Sequence, residues 1–184
     1  MDKKLKDSLS KIKLLICDID GVLTDGSFIK STSGEESRSF NALDGVGFVV
    51  LRLLDLNVKT AWITGRESLT TTQRAEELQI DDVYNGVIRK IDAYNELKNK
   101  YELSDSEVCF IGDDIIDIPI LEKVGFAVTV PNAPKYISYY AHYTTAVEGG
   151  KGAVREVIDL LIESKGDFSE QLDKLLSDLR WHLT

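Results

Sequence analysis

Four short apolar runs govern what this chain can become: LLICDID (14–20), VKTAWITG (58–65), VCFIGDD (108–114) and FAVTV (126–130). Each is continuous rather than alternating, the pattern of strands covered on both faces, and such strands belong to parallel sheets. Helical periodicity fills the intervals over roughly 44–56, 67–79, 89–101 and 114–124. Strands alternating with helices of this length require right-handed crossovers, so the expected fold is α/β, a doubly wound, Rossmann-like parallel sheet. One insert interrupts the alternation: SFIKSTSGEESRSF (27–40) reads as a small β-hairpin, too short to be a separate cap domain. No repeat, low-complexity tract or linker divides the chain, and 1–184 is expected to form a single domain. After Asp167, a candidate N-cap, Phe168, Leu172, Leu175, Leu176, Leu179 and Leu183 recur at helical spacing. This tail, 167–184, either packs on its own domain or reaches across a subunit interface.

A chain of 184 residues buries enough apolar surface to need no staple. Acids outnumber bases 31 to 22, a formal charge of −9, which opposes general nucleic-acid binding and docking on anionic membrane. No apolar run reaches the ~20 residues of a membrane helix. The opening MDKKLKDSLSKIK has charges with no apolar segment behind them and does not read as a secretory leader. Cys17 and Cys109 sit inside apolar runs and are expected to be buried, reduced thiols of a cytoplasmic protein.

Ligands of open parallel sheets bind beyond the carboxyl ends of the strands. The ends of the first three runs carry Asp18 and Asp20, then Thr64-Gly65-Arg66, then Gly112-Asp113-Asp114, with Asp117 close behind. Carboxylates converging in one crevice repel, so some bind protons or a hard cation neutralises them; Mg²⁺ is the usual choice beside phosphates. Acids also favour the first turn of a helix, which alone would explain Asp113 and Asp114. An aspartate can attack phosphorus while a second carboxyl protonates the leaving oxygen and then activates water. Thr64 could donate a hydrogen bond and Lys90 a positive charge to the transition state, although Lys90 taken alone is an ordinary surface lysine.

In this order, DIDGVLTDG (18–26), ITGR (63–66), Lys90 and GDDIIDIP (112–119) resemble the four motifs of the haloacid dehalogenase superfamily of phosphotransferases. The resemblance implies Asp18 as nucleophile, Asp20 as general acid/base, and Thr64 and Lys90 on the phosphoryl group. It implies Mg²⁺ on the Asp18 carboxylate, the Asp20 backbone carbonyl and Asp113. The hairpin followed by GEESRSFNALDGVG (34–47), and the closing EGGKGAVREVIDLLIESKG (148–166), are similar to the branch with almost no cap. That branch forms homotetramers in which neighbouring subunits close each active site. It implies substrate contacts at Asp20, Asn41, Ala42, Leu43, Asp44, Gly45, Arg66, Arg74 and Lys90, with Arg155 reaching a neighbour's site. The implied reaction removes the 8-phosphate of an eight-carbon keto sugar acid of lipopolysaccharide biosynthesis. The alternatives are a nine-carbon sialic-type acid 9-phosphate, or a non-catalytic oligomerisation module of sugar-acid activation. One departure stands out: the branch's basic substrate residue after the DG-x-G turn falls on Val49, so Arg52 replaces that contact or it is absent.

Overall fold

The computed structural model of the chain describes residues 3–34 and 36–181. The strands are β1 (Leu14–Cys17), β2 (Ile29–Lys30), β3 (Glu36–Ser37), β4 (Lys59–Ile63), β5 (Asp82–Tyr84), β6 (Val108–Ile111), β7 (Phe126–Thr129) and β8 (Tyr143–Thr144). The helices are α1 (Lys3–Leu9), α2 (Ala42–Leu53), α3 (Leu69–Leu78), α4 (Lys90–Lys100), α5 (Ile118–Leu121), α6 (Ala153–Lys165) and α7 (Phe168–Trp181). Six strands form one sheet in the order β5-β4-β1-β6-β7-β8, all neighbours parallel, while β2 and β3 pair antiparallel as a separate ribbon. The chain winds outward from β1 in both directions, which makes this the doubly wound α/β fold expected from the apolar runs.

Successive strand residues face opposite sides, so each continuous run supplies two cores. Leu15, Cys17, Trp62, Cys109, Ile111, Phe126 and Val128 join the buried faces of α1, α2 and α6 and Leu175 of α7. Leu14, Ile16, Ala61, Ile63, Val108, Phe110 and Ala127 join α4 and α5 on the other side. Trp62 is stacked on Phe40 at 6.3 Å and meets the edge of Phe48 at 5.7 Å, anchoring α2 to the sheet. Both cysteines are buried and free, as their apolar settings predict. Among the described residues, no helix is long and apolar enough to cross a membrane.

The differences from the sequence pattern have local causes. The helix expected over 114–124 is a 3-10 turn, Ile115–Asp117, followed by the four-residue α5, with Pro119 at its start. Asp114 and Asp117 cap that turn reciprocally, which favours the tight geometry over a longer helix. The edge strands β5 and β8 are short and only partly buried, so they leave no apolar run, and α1 lies in a stretch dominated by lysine. Asp167 does cap α7: the N–H groups of Ser169 and Glu170 donate to its Oδ1 at 2.8 and 3.2 Å. Leu175 of the tail is buried while Leu172 and Leu176 remain exposed; Leu183 and the side chains of Phe168 and Leu179 lie outside the described residues.

Gly149 packs against the turn that follows β1, so closely that a Cβ there would run into the Gly21 carbonyl. Because the obstacle is backbone, Gly149→Ala is expected to lower unfolding free energy by about 2 kcal/mol or more in urea titration. A loss below about 0.5 kcal/mol would show that this contact relaxes freely.

Candidate active site

Three strand ends deliver the polar residues, and each remains tied to the sheet after its strand has finished. The Asp18 N–H donates to the Ile111 carbonyl at 2.9 Å, the Thr64 N–H to Tyr84 at 2.9 Å, and the Gly112 N–H to Val128 at 3.1 Å. Beyond Asp18 the chain turns sharply, with the N–H groups of Val22, Leu23 and Thr24 all directed at the Ile19 carbonyl. Thr24 Oγ1 closes this turn by accepting from the Gly21 and Gly26 N–H groups at 3.4 and 3.2 Å. Gly21 has φ +96°, and a Cβ there would strike the Asp113 carboxylate, so glycine is required on both counts.

Lys90, the first residue of α4, is 1% exposed. Its Nζ lies 2.7 Å from Asp18 Oδ1 and 2.7 Å from Asp117 Oδ1. Burial opposes the lysine's charge, but the two carboxylates outweigh it and raise its pKa. Asp117 Oδ2 accepts from the N–H groups of Asp113 and Asp114 at 3.0 and 3.1 Å, so both of its oxygens are committed. Burial, then the charges of Asp18 and Asp117, hold Asp113 well above the usual carboxylate range. Burial and Asp18 likewise push Asp117 upward while Lys90 pulls it back.

One oxygen each from Asp18, Asp113 and Asp117 lie within 4.8 Å of one another, and Asp113 Oδ1 is enclosed with no hydrogen-bond partner. This excess of negative charge, with an orphaned oxygen aimed into it, fits a hard divalent cation. With Asp117 already engaged, Asp18 and Asp113 are the side chains with donor capacity to spare. The Thr64 hydroxyl accepts from the Arg66 N–H at 3.2 Å, which leaves its own proton free to be donated. Asp18, Asp20, Thr64, Arg66, Lys90 and Asp113, together with Gly65, Ile88, Asp114 and Ile116, line an open crevice of about 510 Å³.

The hairpin leans over this crevice through side chains. Arg66 stacks on Phe28 at 4.0 Å and reaches Glu36 at 3.4 Å. The Arg38 side chain is fully enclosed (0% exposed); Nη1 donates to Thr71 Oγ1 at 3.0 Å and lies 3.4 Å from Asp20 Oδ1. Its Nη2 donates to Glu36 Oε1 at 3.2 Å. Arg38, Glu36 and the anchoring role of Asp117 escape the sequence reading. Asp117 carries a signal in its spacing of four from Asp113, whereas the hairpin charges carry none.

The remaining expected residues gather elsewhere, around the start of α2. Asn41 caps α2 by accepting from the Leu43 N–H at 2.9 Å and donates to the Gly150 carbonyl at 3.1 Å. Ala42 and Leu43 are exposed. Asp44 turns inward, 2% exposed, and accepts from the Arg155 N–H at 2.8 Å, so its carboxylate caps α6 instead of facing the crevice. Gly45 is buried beneath the Arg74 guanidinium, and Arg74 pairs with Glu77 at 2.8 Å. The Arg155 Nε donates to Asp159 at 2.8 Å. Within one chain, then, Asn41, Ala42, Leu43, Asp44, Gly45, Arg74 and Arg155 do not join the crevice. Arg52, the other residue considered for the substrate contact expected near Val49, donates to the Leu78 carbonyl at 2.7 Å and does not line the crevice of its own chain. Val49 itself packs against the core.

A sheet whose carboxyl edge gathers Asp18, Asp20, Thr64, Lys90 and Asp113 around one cation-hungry crevice defines a phosphoryl-transfer fold. The sequence matches the haloacid dehalogenase-like hydrolases over residues 27–158, and the chain belongs to that family. It is 42% identical over 153 residues to the 3-deoxy-D-manno-octulosonate 8-phosphate phosphatase KdsC of Yersinia pestis, covering 83% of this chain and 81% of that one. The corresponding phosphatase of Salmonella typhi is 41% identical over 159 residues, 86% of this chain and 84% of the relative. The crystal structure of 3-deoxy-D-manno-octulosonate 8-phosphate phosphatase from Moraxella catarrhalis, in complex with a magnesium ion, a phosphate ion and a KDO molecule, superposes with a TM-score of 0.90. That structure is 32% identical and covers 95% of this chain and 99% of its own.

Burial raises the Asp44 pKa from 3.8 to about 6, against the pull of N–H groups at the start of α6. Between those values the folded state holds a proton that the unfolded state lacks. The stability this group contributes is therefore full below 3.8 and lost as pH rises through about 6. Urea titrations at about pH 4.5 and about pH 7.5 are expected to favour the wild type over Asp44→Asn by roughly 2 kcal/mol more at the lower pH. A difference independent of pH would contradict the inward, ionisable cap.

Proposed function

We propose that this chain is a Mg²⁺-dependent phosphatase that hydrolyses 3-deoxy-D-manno-octulosonate 8-phosphate to KDO and inorganic phosphate. The observation that carries the reading is the Asp18–Lys90–Asp117 ion cluster with Asp20 and Asp113 at the rim of the same crevice. Identity of about 40% to KdsC phosphatases over most of both chains supports the substrate.

In this reading an Asp18 oxygen attacks phosphorus, the bond to the C8 oxygen breaks, and Asp20 gives its proton to the departing alkoxide. Asp20 then takes a proton from the water that attacks the aspartyl phosphate, the Asp18–phosphorus bond breaks, and phosphate leaves. Lys90 neutralises Asp18 enough for an anionic phosphate to approach, and the free Thr64 proton binds a phosphoryl oxygen. Mg²⁺, held by the Asp18 and Asp113 carboxylates and the Asp20 backbone carbonyl, supplies positive charge to the phosphoryl group as negative charge spreads over it. Arg66, beside the crevice, is the guanidinium suited to the substrate's carboxylate.

The reading extends to a homotetramer of single-domain chains, working in the cytoplasm. Supporting assembly, the β2–β3 ribbon carries an isolated two-stranded ladder with Ile29 73% exposed, and such ribbons are marginal alone. The cluster of Asn41, Ala42, Leu43, Arg74 and Arg155 lies apart from its own crevice, and a neighbouring copy is what would bring it to one. The two free, buried thiols suit a reducing compartment.

Phosphate release with Mg²⁺ tests the substrate, using the eight-carbon acid 8-phosphate, nine-carbon acid 9-phosphates and hexose phosphates. A kcat/KM at least about tenfold higher for the eight-carbon compound is expected. Preference for a nine-carbon acid moves the enzyme to that substrate, and no release from any of them returns the chain to a scaffold role. Asp18→Asn should lose at least about 10³-fold in kcat while remaining folded by circular dichroism. Substantial residual turnover would remove Asp18 as the nucleophile.

A further inference from the structure

Arg38 is a fully enclosed cation on an otherwise exposed hairpin. Guanidinium groups are buried only where their donors are matched, because an unpaired one costs several times what an exposed one does. Glu36 and Thr71 already take one donor from each terminal nitrogen. Yet Nη1 is also held 3.4 Å from Asp20 Oδ1, Nε is left enclosed without an acceptor, and Asp20 Oδ1 has no hydrogen bond of its own. A residue serving only to fasten the hairpin would be better satisfied by turning toward Glu36. The cost is tolerated where the guanidinium lies beside Asp20. Among the described residues, Arg38 is the cation paired with Asp20.

We infer that Arg38 is a positioning residue: braced by Thr71 on α3 and Glu36 on β3, it fixes the Asp20 carboxyl in the orientation from which it delivers a proton to the leaving oxygen. The inference rests on the proposed general-acid role of Asp20. Asp20 lies three residues past the end of a rigid strand, in a turn whose hydrogen bonds fix the backbone and leave this side chain free to rotate. Arg38 supplies the missing constraint from outside the turn. The planar fork matters because it reaches three partners on three segments at once, which an ammonium on a flexible stem does not.

The test is dependence on the leaving group. Departure of a sugar alkoxide needs the proton from Asp20; departure of p-nitrophenolate does not, and kcat/KM reports only steps through phosphoenzyme formation. In the Mg²⁺-loaded full chain, Arg38→Met is expected to lower kcat/KM for 3-deoxy-D-manno-octulosonate 8-phosphate by roughly 30-fold or more. Its value for p-nitrophenyl phosphate should stay within about threefold. Arg38→Lys, which keeps the charge and the stem, should show the same selectivity with a loss at least about threefold smaller. Parallel losses on both substrates in either variant would reduce Arg38 to a structural pin, and unchanged values would remove it from the reaction. Arg38→Lys decides alone if Arg38→Met does not fold. Asp20→Asn separates the two layers of the argument: equal losses on both substrates there would overturn the general-acid reading itself. Selective loss in Asp20→Asn with none in the Arg38 variants overturns only the positioning role.

Discussion

One buried ammonium group organises the carboxyl edge of the sheet. Lys90 arrives on α4, Asp18 on the end of β1 and Asp117 on the turn after β6, and their meeting at 2.7 Å locks three otherwise separate segments together. Removing the ammonium would leave the Asp18 and Asp117 carboxylates buried and uncompensated, a loss that typically costs about 3–5 kcal/mol. The cluster is also unbalanced by design of its composition, because Asp113 adds another carboxylate to the same space. That imbalance makes a site for a cation and a phosphoryl group out of what would otherwise be a structural ion pair. A cation bound there, together with Lys90, would let a chain of net charge −9 receive an anion, since the positive charge is local instead of spread over the surface.

The hairpin depends on a different kind of restraint. Its backbone ladder is too short to fix its angle to the domain. The angle is set by guanidinium planes: Arg66 on Phe28 and Glu36, and Arg38 on Thr71, Glu36 and Asp20. Planar groups with several donors hold geometry as well as charge, so the mouth of the crevice is shaped by side chains while its floor is shaped by the sheet.

Much of this was legible in the sequence because it follows from periodicity and punctuation. The apolar runs at 14–20, 58–65, 108–114 and 126–130 contain β1, β4, β6 and β7, and their polar ends, from Asp18, Thr64 and Gly112 onward, are the loops that carry the crevice. Edge strands β5 and β8 were not legible, since partial burial on an edge demands no apolar continuity. Asp44 illustrates a subtler limit. Its motif marks it as polar and close to a functional segment, but only the packing of α2 against α6 reveals that it faces inward to cap a helix 111 residues away. Arg38 belongs to the same class: a hairpin arginine is ordinarily a solvated one, and nothing local announces that Thr71 and Asp20 enclose it.

The glycine pair at 149–150 carries a consequence for how the molecule is made. The Gly150 N–H donates to the Val22 carbonyl, Asn132 bridges the Gly21 carbonyl and the Gly149 N–H, and Asn41 holds the Gly150 carbonyl. The turn bearing Asp20 is thus buttressed by a segment translated long after it. A nascent chain that has emerged only as far as β7 has its aspartates but not the support that fixes them. Contacts spanning this much sequence form late and make folding slower. The turn therefore has its full set of hydrogen bonds only when residues 132 and 149–150 are in place.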